Sequence, residues 1–578
     1  MSVGQASAGP AVLSLEEKRR LLVQKLQAGG EHDSFPLSFA QQRLWVVHQM
    51  DPAGTAYNMP YALRLRGALD AQVLGRALTA LVRRHETLRT VFPARGGVPV
   101  QRILPPAPVD LRETDLRAVP PGERDAEAAR MAADEAAKPF DLATGPLLRV
   151  SLLRLADEDA LVLFTLHHIV SDGWSQNVLI RDLSELYAAL SEGRPANLPA
   201  LPIRYADYAV WQRGRLSGEV LDEQLRFWRE RLAGAPPVLA LPTDRPRRSP
   251  PGARADRHDL VLSAETTDGL RVLARDEGAS LFMTLLAVFQ ALLARWSGEE
   301  DVVVGTPVAG RSRLEVENLI GFFLNLLPLR TDLSGDPTVR ELVARVREGV
   351  LQAIAHEELP FEKLVDELHL ERTPGGTPLF QVLFELNASG APAVRLGTLR
   401  VEATVEGEEQ AKYDLSLRMH DGGGPLAGAL IYRTELFDAS TIDRMAGQLA
   451  RMLEQAAAAP DTRLSALKLM DAEERRTVVE TWNGTAAEYP ADRCVHQLFE
   501  AQAARTPGAP AVTFGEASLT YAELDRQANR LAHHLRRLGV GPEVRVGLCL
   551  ERRVELMVAI LGVLKAGGAY VPAESRST

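Results

Sequence analysis

Cysteine is almost absent: Cys494 and Cys549 are the only two in 578 residues. No disulfide framework and no thiolate-bound metal cluster can be built from them, and a reducing, cytoplasmic setting fits that usage. Positive charge is also short, with 66 lysines and arginines against 76 aspartates and glutamates, a net charge of −10. That balance disfavours broad attachment to nucleic acid or to anionic membrane surfaces. Long apolar runs are missing. The stretch 279–296 is broken by Gln290 and Arg295, and 554–564 is too short for roughly 30 Å of hydrocarbon, so both read as buried helices of a soluble protein. The first dozen residues hold no basic patch followed by an apolar stretch, so no export signal is expected. No set of ligands at zinc-like spacing occurs, and no metal site is expected. A composition of 46% apolar and 25% charged residues is that of packed domains, and the length allows two to four folding units.

Residues 14–27 (SLEEKRRLLVQKLQ) have helical spacing, with Ser14 and Glu17 forming a capping box and Gly29–Gly30 a stop. They read as a solvated lead-in helix or as a docking element for an upstream protein. From residue 34 strands alternate with amphipathic helices, among them a helix over 71–85 and strands over 147–154 and 160–166. A Pro-rich stretch, 235–252 (APPVLALPTDRPRRSPPG), reads as a surface bridge to a second α/β portion. That portion opens with a strand at 301–304 and closes with a strand and helix over 430–459. A polar linker follows near 472–491.

The most informative segment is 166–175, LHHIVSDGWS. An apolar strand delivers His167 and His168 at its end, where sheets present chemistry. A free imidazole titrates near 6.5, so His168 suits general acid/base work, while Asp172 could orient the loop or a ring. Gly173 lets a substrate come close to the backbone and offers an N–H to a developing oxyanion. A pair of histidines satisfied within the core is the competing reading. A shared metal is disfavoured, because adjacent strand residues point to opposite faces.

HHxxxDG, read here as His167, His168, Asp172 and Gly173, resembles the active-site motif of nonribosomal peptide synthetase condensation domains, relatives of chloramphenicol acetyltransferase. Companions follow in that family's order: SFAQQRLW (38–45), RHETLRTVF (84–92), YADYAVW (205–211), IGFFLNLLPLR (320–330), HEELPFE (356–362) and TPLFQVLF (377–384). The resemblance covers about 34–471. It implies an α/β fold of two chloramphenicol-acetyltransferase-like lobes in a V-shaped pseudo-dimer, with a first lobe over 34–212 and a second over 213–471. It also implies that His168 holds the attacking amine and takes its proton, that His167 fixes the strand end, and that Asp172 pairs with Arg311 across the lobes. Trp174, Ser175 and Asn325 are expected along the substrate tunnel. By themselves, RHETLRTVF reads as a packing and salt-bridge element and YADYAVW as a helix start.

Residues 482–573 resemble the beginning of an adenylation domain through WNGTAAEYP, LTYAEL and LKAGGAYVP, giving a partial α/β fragment over 492–573. The Gly/Ser/Thr-rich phosphate loop ending in Lys-Gly does not occur, nor does a carrier-protein GGxS. Residues 574–578 depart from the family's continuation and read as a junction tail. The resemblance therefore implies amide formation between thioesters held on carrier-protein phosphopantetheine, with donor and acceptor carriers as partners and no cofactor bound by this chain. Two rivals stand beside it. One is a starter domain acylating the first amino acid from an acyl-CoA; the other is a non-catalytic recruitment module. SDGWS and IGFFLN look most like domains joining an L-configured donor to an L-acceptor, although Leu326 and Pro328 depart from the commoner VNTL floor.

Overall fold

Strand Asp159–His167 is apolar on both faces because it is central: it pairs antiparallel with Asn58–Arg66 on one side and Leu148–Ala156 on the other. In the computed structural model, which describes residues 34–247, 254–368, 378–388, 395–406 and 411–573, these three strands lie within a six-stranded sheet. The lead-in segment 14–27, Thr377 of the TPLFQVLF segment and the tail 574–578 lie outside the described residues. Helices Ala71–Arg84 and Gly173–Glu192 bury Leu74, Leu78, Leu179 and Leu183 against one face of the sheet. Helix Arg124–Ala136 closes the other face over Leu153, Leu161 and Leu163.

The second sheet runs in the order Asn325–Asp332, Asp301–Val308, Val382–Ala388, Leu415–Asp421, Ala427–Arg433, Ala255–Val261. Its most apolar helix, Leu281–Ser297, is capped by Ser280 and stopped by Gly298 at φ 75°. Nearly every side chain from Met283 to Leu293 is buried, as a helix apolar all round requires. Among the described residues no single helix is long and apolar enough to cross a membrane.

Three expectations change. The second lobe is not closed in sequence, because Arg395–Leu396 and Leu399–Glu406 leave it and extend the first sheet beside Asn58–Arg66. Without that excursion the strand Asn58–Arg66 would present an unpaired edge. A lobe boundary at 212/213 falls inside helix Tyr205–Arg215, whose Tyr205 packs with Val316, Leu319 and Phe323. The Pro-rich stretch is not a surface bridge over its described part. Leu239 and Leu241 are buried in the second lobe's core, and the Leu239 N–H donates to Gln381 Oε1 at 2.9 Å.

The chain divides between Asp471 and Ala472. In the second unit a hairpin, Pro510–Phe514 with Ala517–Thr520, and a parallel pair, Arg545–Leu548 with Ala569–Pro572, accompany helices Val495–Arg505, Tyr521–Arg537 and Val554–Ala566. Buried Lys565 is satisfied there by Glu500 (2.6 Å), Asp525 (2.7 Å) and Asn529 (2.9 Å).

Candidate active site

The first sheet's central strand ends at His167, and a single tight turn, His168–Val170, follows. Asp172 then caps helix Gly173–Glu192, accepting from the Ser175 N–H at 2.8 Å. The turn separates the two imidazoles chemically. His167 is buried, and its Nδ1 accepts from the Ile169 N–H at 3.1 Å. Phe140 and His48 meet its ring edge-on, and burial lowers its pKa to about 3.

His168 is only partly buried by area. Its Nδ1 lies 2.9 Å from the Ser171 carbonyl. A carbonyl can only accept, so Nδ1 carries the proton and Nε2 presents a lone pair. No described side chain or backbone group hydrogen-bonds Nε2. The surroundings are apolar: the ring meets Phe322 edge-on at 4.8 Å, and its backbone N–H donates to the Tyr57 carbonyl at 2.8 Å. Desolvation, then the charge of Lys412, lowers its pKa to about 3. His168 is therefore neutral throughout the physiological range, with a fixed tautomer.

The aspartate of the motif faces the other way. Both oxygens of Asp172 are used, by Arg311 Nη2 at 3.2 and 3.4 Å and by the Phe323 N–H at 3.0 Å. Arg311 also donates to the carbonyls of Val316 and Leu319 and to Ser175 Oγ at 2.8 Å, with Phe323 stacked 4.1 Å from its guanidinium carbon. Burial pulls the guanidinium's pKa down and the Asp172 charge opposes that pull. First-lobe residues are thus stitched to second-lobe backbone.

Two tunnel expectations need correcting. Ser175 has no exposed surface; its hydroxyl donates to the Gly321 carbonyl at 2.9 Å and accepts from the Gly321 N–H at 3.1 Å. It belongs to the joint and lines no open wall. Asn325 spends its amide on the chain at 357–361, donating to the Glu357 and Leu359 carbonyls and accepting from the Phe361 N–H. It therefore fixes that segment, although it borders a small cavity of about 50 Å³ that also touches Phe322, Leu324, Tyr208 and Trp211. Trp174 is exposed, and its indole donates to the Glu317 carbonyl at 3.0 Å. Gly173 opens the helix, where its N–H has no intrahelical acceptor, and the space a Cβ would take there is open.

The companion motifs hold Phe322 against His168. Tyr205, from YADYAVW, donates to the Phe322 carbonyl at 2.5 Å and meets Ser38 Oγ, from SFAQQRLW, at 2.9 Å. Gly321 is required at this crossing, because a Cβ there would lie 2.1 Å from the Tyr205 ring. RHETLRTVF supplies His85 and Arg84, both bonded to buried Asp182 at 2.9 Å. Tyr57 and Lys412, which also approach the histidines, lie in no spaced pattern that the sequence could betray.

The geometry is that of a two-lobed α/β protein with a histidine at a strand end near the lobe junction, one of its ring nitrogens free. Residues 31–479 match the Condensation domain family and residues 499–578 the AMP-binding enzyme family. The chain is 48% identical over 539 residues to a linear gramicidin synthase of Brevibacillus parabrevis, and the match covers 93% of this chain but 7% of that protein. The X-domain from teicoplanin biosynthesis superposes with a TM-score of 0.70 at 32% identity, covering 76% of this chain and 98% of that one. A four-domain nonribosomal peptide synthetase, holo-AB3403 bound to AMP and glycine, gives 0.78 at 26% identity over 94% of this chain and 42% of that one. The chain belongs to the condensation domain family of nonribosomal peptide synthetases, and the start of an adenylation domain follows it. Condensation domains catalyse amide formation, an acyltransferase-type reaction.

Proposed function

We propose that this chain joins a donor acyl or peptidyl thioester to the amine of an acceptor aminoacyl thioester, both presented on carrier-protein phosphopantetheine. The observation that carries this reading is the neutral His168 with an unengaged Nε2 at the lobe junction. The acceptor nitrogen attacks the donor carbonyl carbon, and the C=O electrons move onto oxygen. Collapse then breaks the C–S bond, and the thiolate leaves with the pair. An α-amine has a pKa of about 7.7–8.0 and is substantially neutral near pH 7.5 without any base. An imidazole near 3 does not strip a proton from it. His168 Nε2 instead accepts the amine's N–H hydrogen bond, aims its lone pair, takes the proton once C–N bond formation has made that nitrogen acidic, and gives it up to the departing thiolate, which is released as the thiol. Orientation of this kind can supply about 7–11 kcal/mol of the barrier. The Gly173 N–H, at the positive end of its helix and without an intrahelical acceptor, is the donor this reading offers to developing negative charge.

Intact-mass measurement of an aminoacyl-loaded acceptor carrier tests this. With a loaded donor carrier the acceptor should gain the donor's mass and the donor carrier should return to its free thiol. Mass gain only from an acyl-CoA would replace the carrier-bound donor with the starter reading. No gain from either donor, with both carriers verified as loaded, would favour a recruitment module.

A further inference from the structure

Lys412 stands just before the second-lobe strand Leu415–Asp421 and reaches towards the first lobe, its Nζ 5.3 Å from the centre of the Tyr57 ring. That ring is 6.5 Å from His168 and 6.4 Å from His167. The side chain is accessible to solvent, yet desolvation is the largest influence on its ammonium, and Arg43 adds to it; the pKa falls to about 8. The carboxylates nearby are already engaged: Glu362 with Arg43 at 2.7 Å and Glu385 with Arg418 at 2.6 Å. Among the described residues, Lys412 has no ion-pair partner of its own. Because Lys412 is exposed, its lack of a partner costs little by itself; what ties it to the reaction is position, since its free positive charge stands beside the Tyr57 ring and acts on His168.

We propose that Lys412 is a catalytic residue of the acyl transfer, its ammonium stabilising the negative charge that develops on the donor thioester as it is attacked and as its sulfur leaves. Lys412 keeps its proton throughout, so no bond to it forms or breaks. A permanent carboxylate on the substrate is the competing anion, but the charge of the reaction arises beside His168 with every substrate. The facing groups are Arg43 from helix Phe39–Met50, Glu385 from strand Val382–Ala388, Arg418 from strand Leu415–Asp421, and Tyr57 and His168 from the first lobe. Of these, only Glu385 opposes the fall in pKa.

The inference rests on the condensation reading and fails separately from it. The full chain is assayed with leucyl donor and alanyl acceptor on their carriers, neither side chain being charged, as wild type, K412M, K412R and H168A, each checked by thermal melting. Above the acidic limb set by the acceptor amine, the rate should turn down once pH passes about 8, where Lys412 loses its charge. K412M should lose about tenfold or more in kcat/KM, less than the 10²–10³ of a direct oxyanion donor. K412R should keep most activity and move the basic limb upward, because a guanidinium stays charged. Competitive acetylation of the intact protein should give Lys412 an apparent pKa near 8, against about 10.4 for an unperturbed lysine. Wild-type rates and an unchanged pH profile for K412M would overturn the inference, as would a folded K412R as slow as K412M. Repeated with a glutamyl donor, the same assay would overturn it too if the K412M loss were confined to that acidic substrate. Activity in H168A would instead overturn the condensation mechanism.

Discussion

Histidine enters mechanisms because it titrates near pH 6.5, yet His167 and His168 both lie near 3. The fixed Nδ1–H bond to Ser171 makes His168 an acceptor of set direction, and its depressed pKa keeps that acceptor free at all working pH values. Any acidic limb in kcat/KM should therefore track the acceptor amine near pH 7.7–8.0 and be insensitive to His168. A limb at 6–6.5 would contradict this. Stability carries the same signature. Unfolded, both imidazoles bind protons below about 6.5, whereas folded they stay neutral down to about 3, so unfolding takes up protons in that window. Stability fully present above pH 6.5 should be lost as pH falls towards 3. Urea midpoints between pH 7.5 and 5 should decline, and His167→Gln should remove about one proton from the slope. A flat series would rule out neutral burial of the pair. The sequence showed these histidines through HHxxxDG but not their pKa values. Those come from Phe322, Phe140 and Tyr57, brought there by elements remote in the chain.

Helix Gly173–Glu192 and the segment 311–323 form the element on which the site depends. Asp172, Ser175, Arg311 and Gly321 are mutually hydrogen-bonded with almost no exposed side-chain surface at the ion pair. Removing one partner of such a pair leaves a buried charge and costs about 3–5 kcal/mol. Asp172→Ala should lower both melting temperature and activity, and a double-mutant cycle with Arg311→Met should recover part of the loss. A variant that melts like wild type yet is inactive would instead place Asp172 in the chemistry. Gly321→Ala should displace Phe322 by driving a methyl into Tyr205. Reduced single-turnover rates with little change in KM would follow, and normal rates would show that the crossing does not position His168. Asp172 and Arg311 were legible because the family pairs them. Ser175 was misplaced because a serine in the first turn of a helix looks free until the backbone of Gly321 arrives from 146 residues away.

Across the whole molecule, the strand Leu399–Glu406 makes the two lobes interdependent, since it belongs to one in sequence and the other in hydrogen bonding. Residues 34–212 expressed alone should not give a cooperative melt, because they lack that edge strand and the Arg311 joint. A sharp transition would contradict this. Periodicity placed the helices and the central strands well, but it could not disclose which sheet an amphipathic strand joins, because the alternation is the same on either. The central claim is that His168 Nε2 aims the acceptor amine at the lobe junction. It is tested most directly by single-turnover transfer between loaded carriers at pH 7.5, comparing wild type with a folded His168→Ala. The account predicts a loss of about 10²–10⁴-fold with both carriers still loaded. Transfer by the variant within a few-fold of wild type would contradict it.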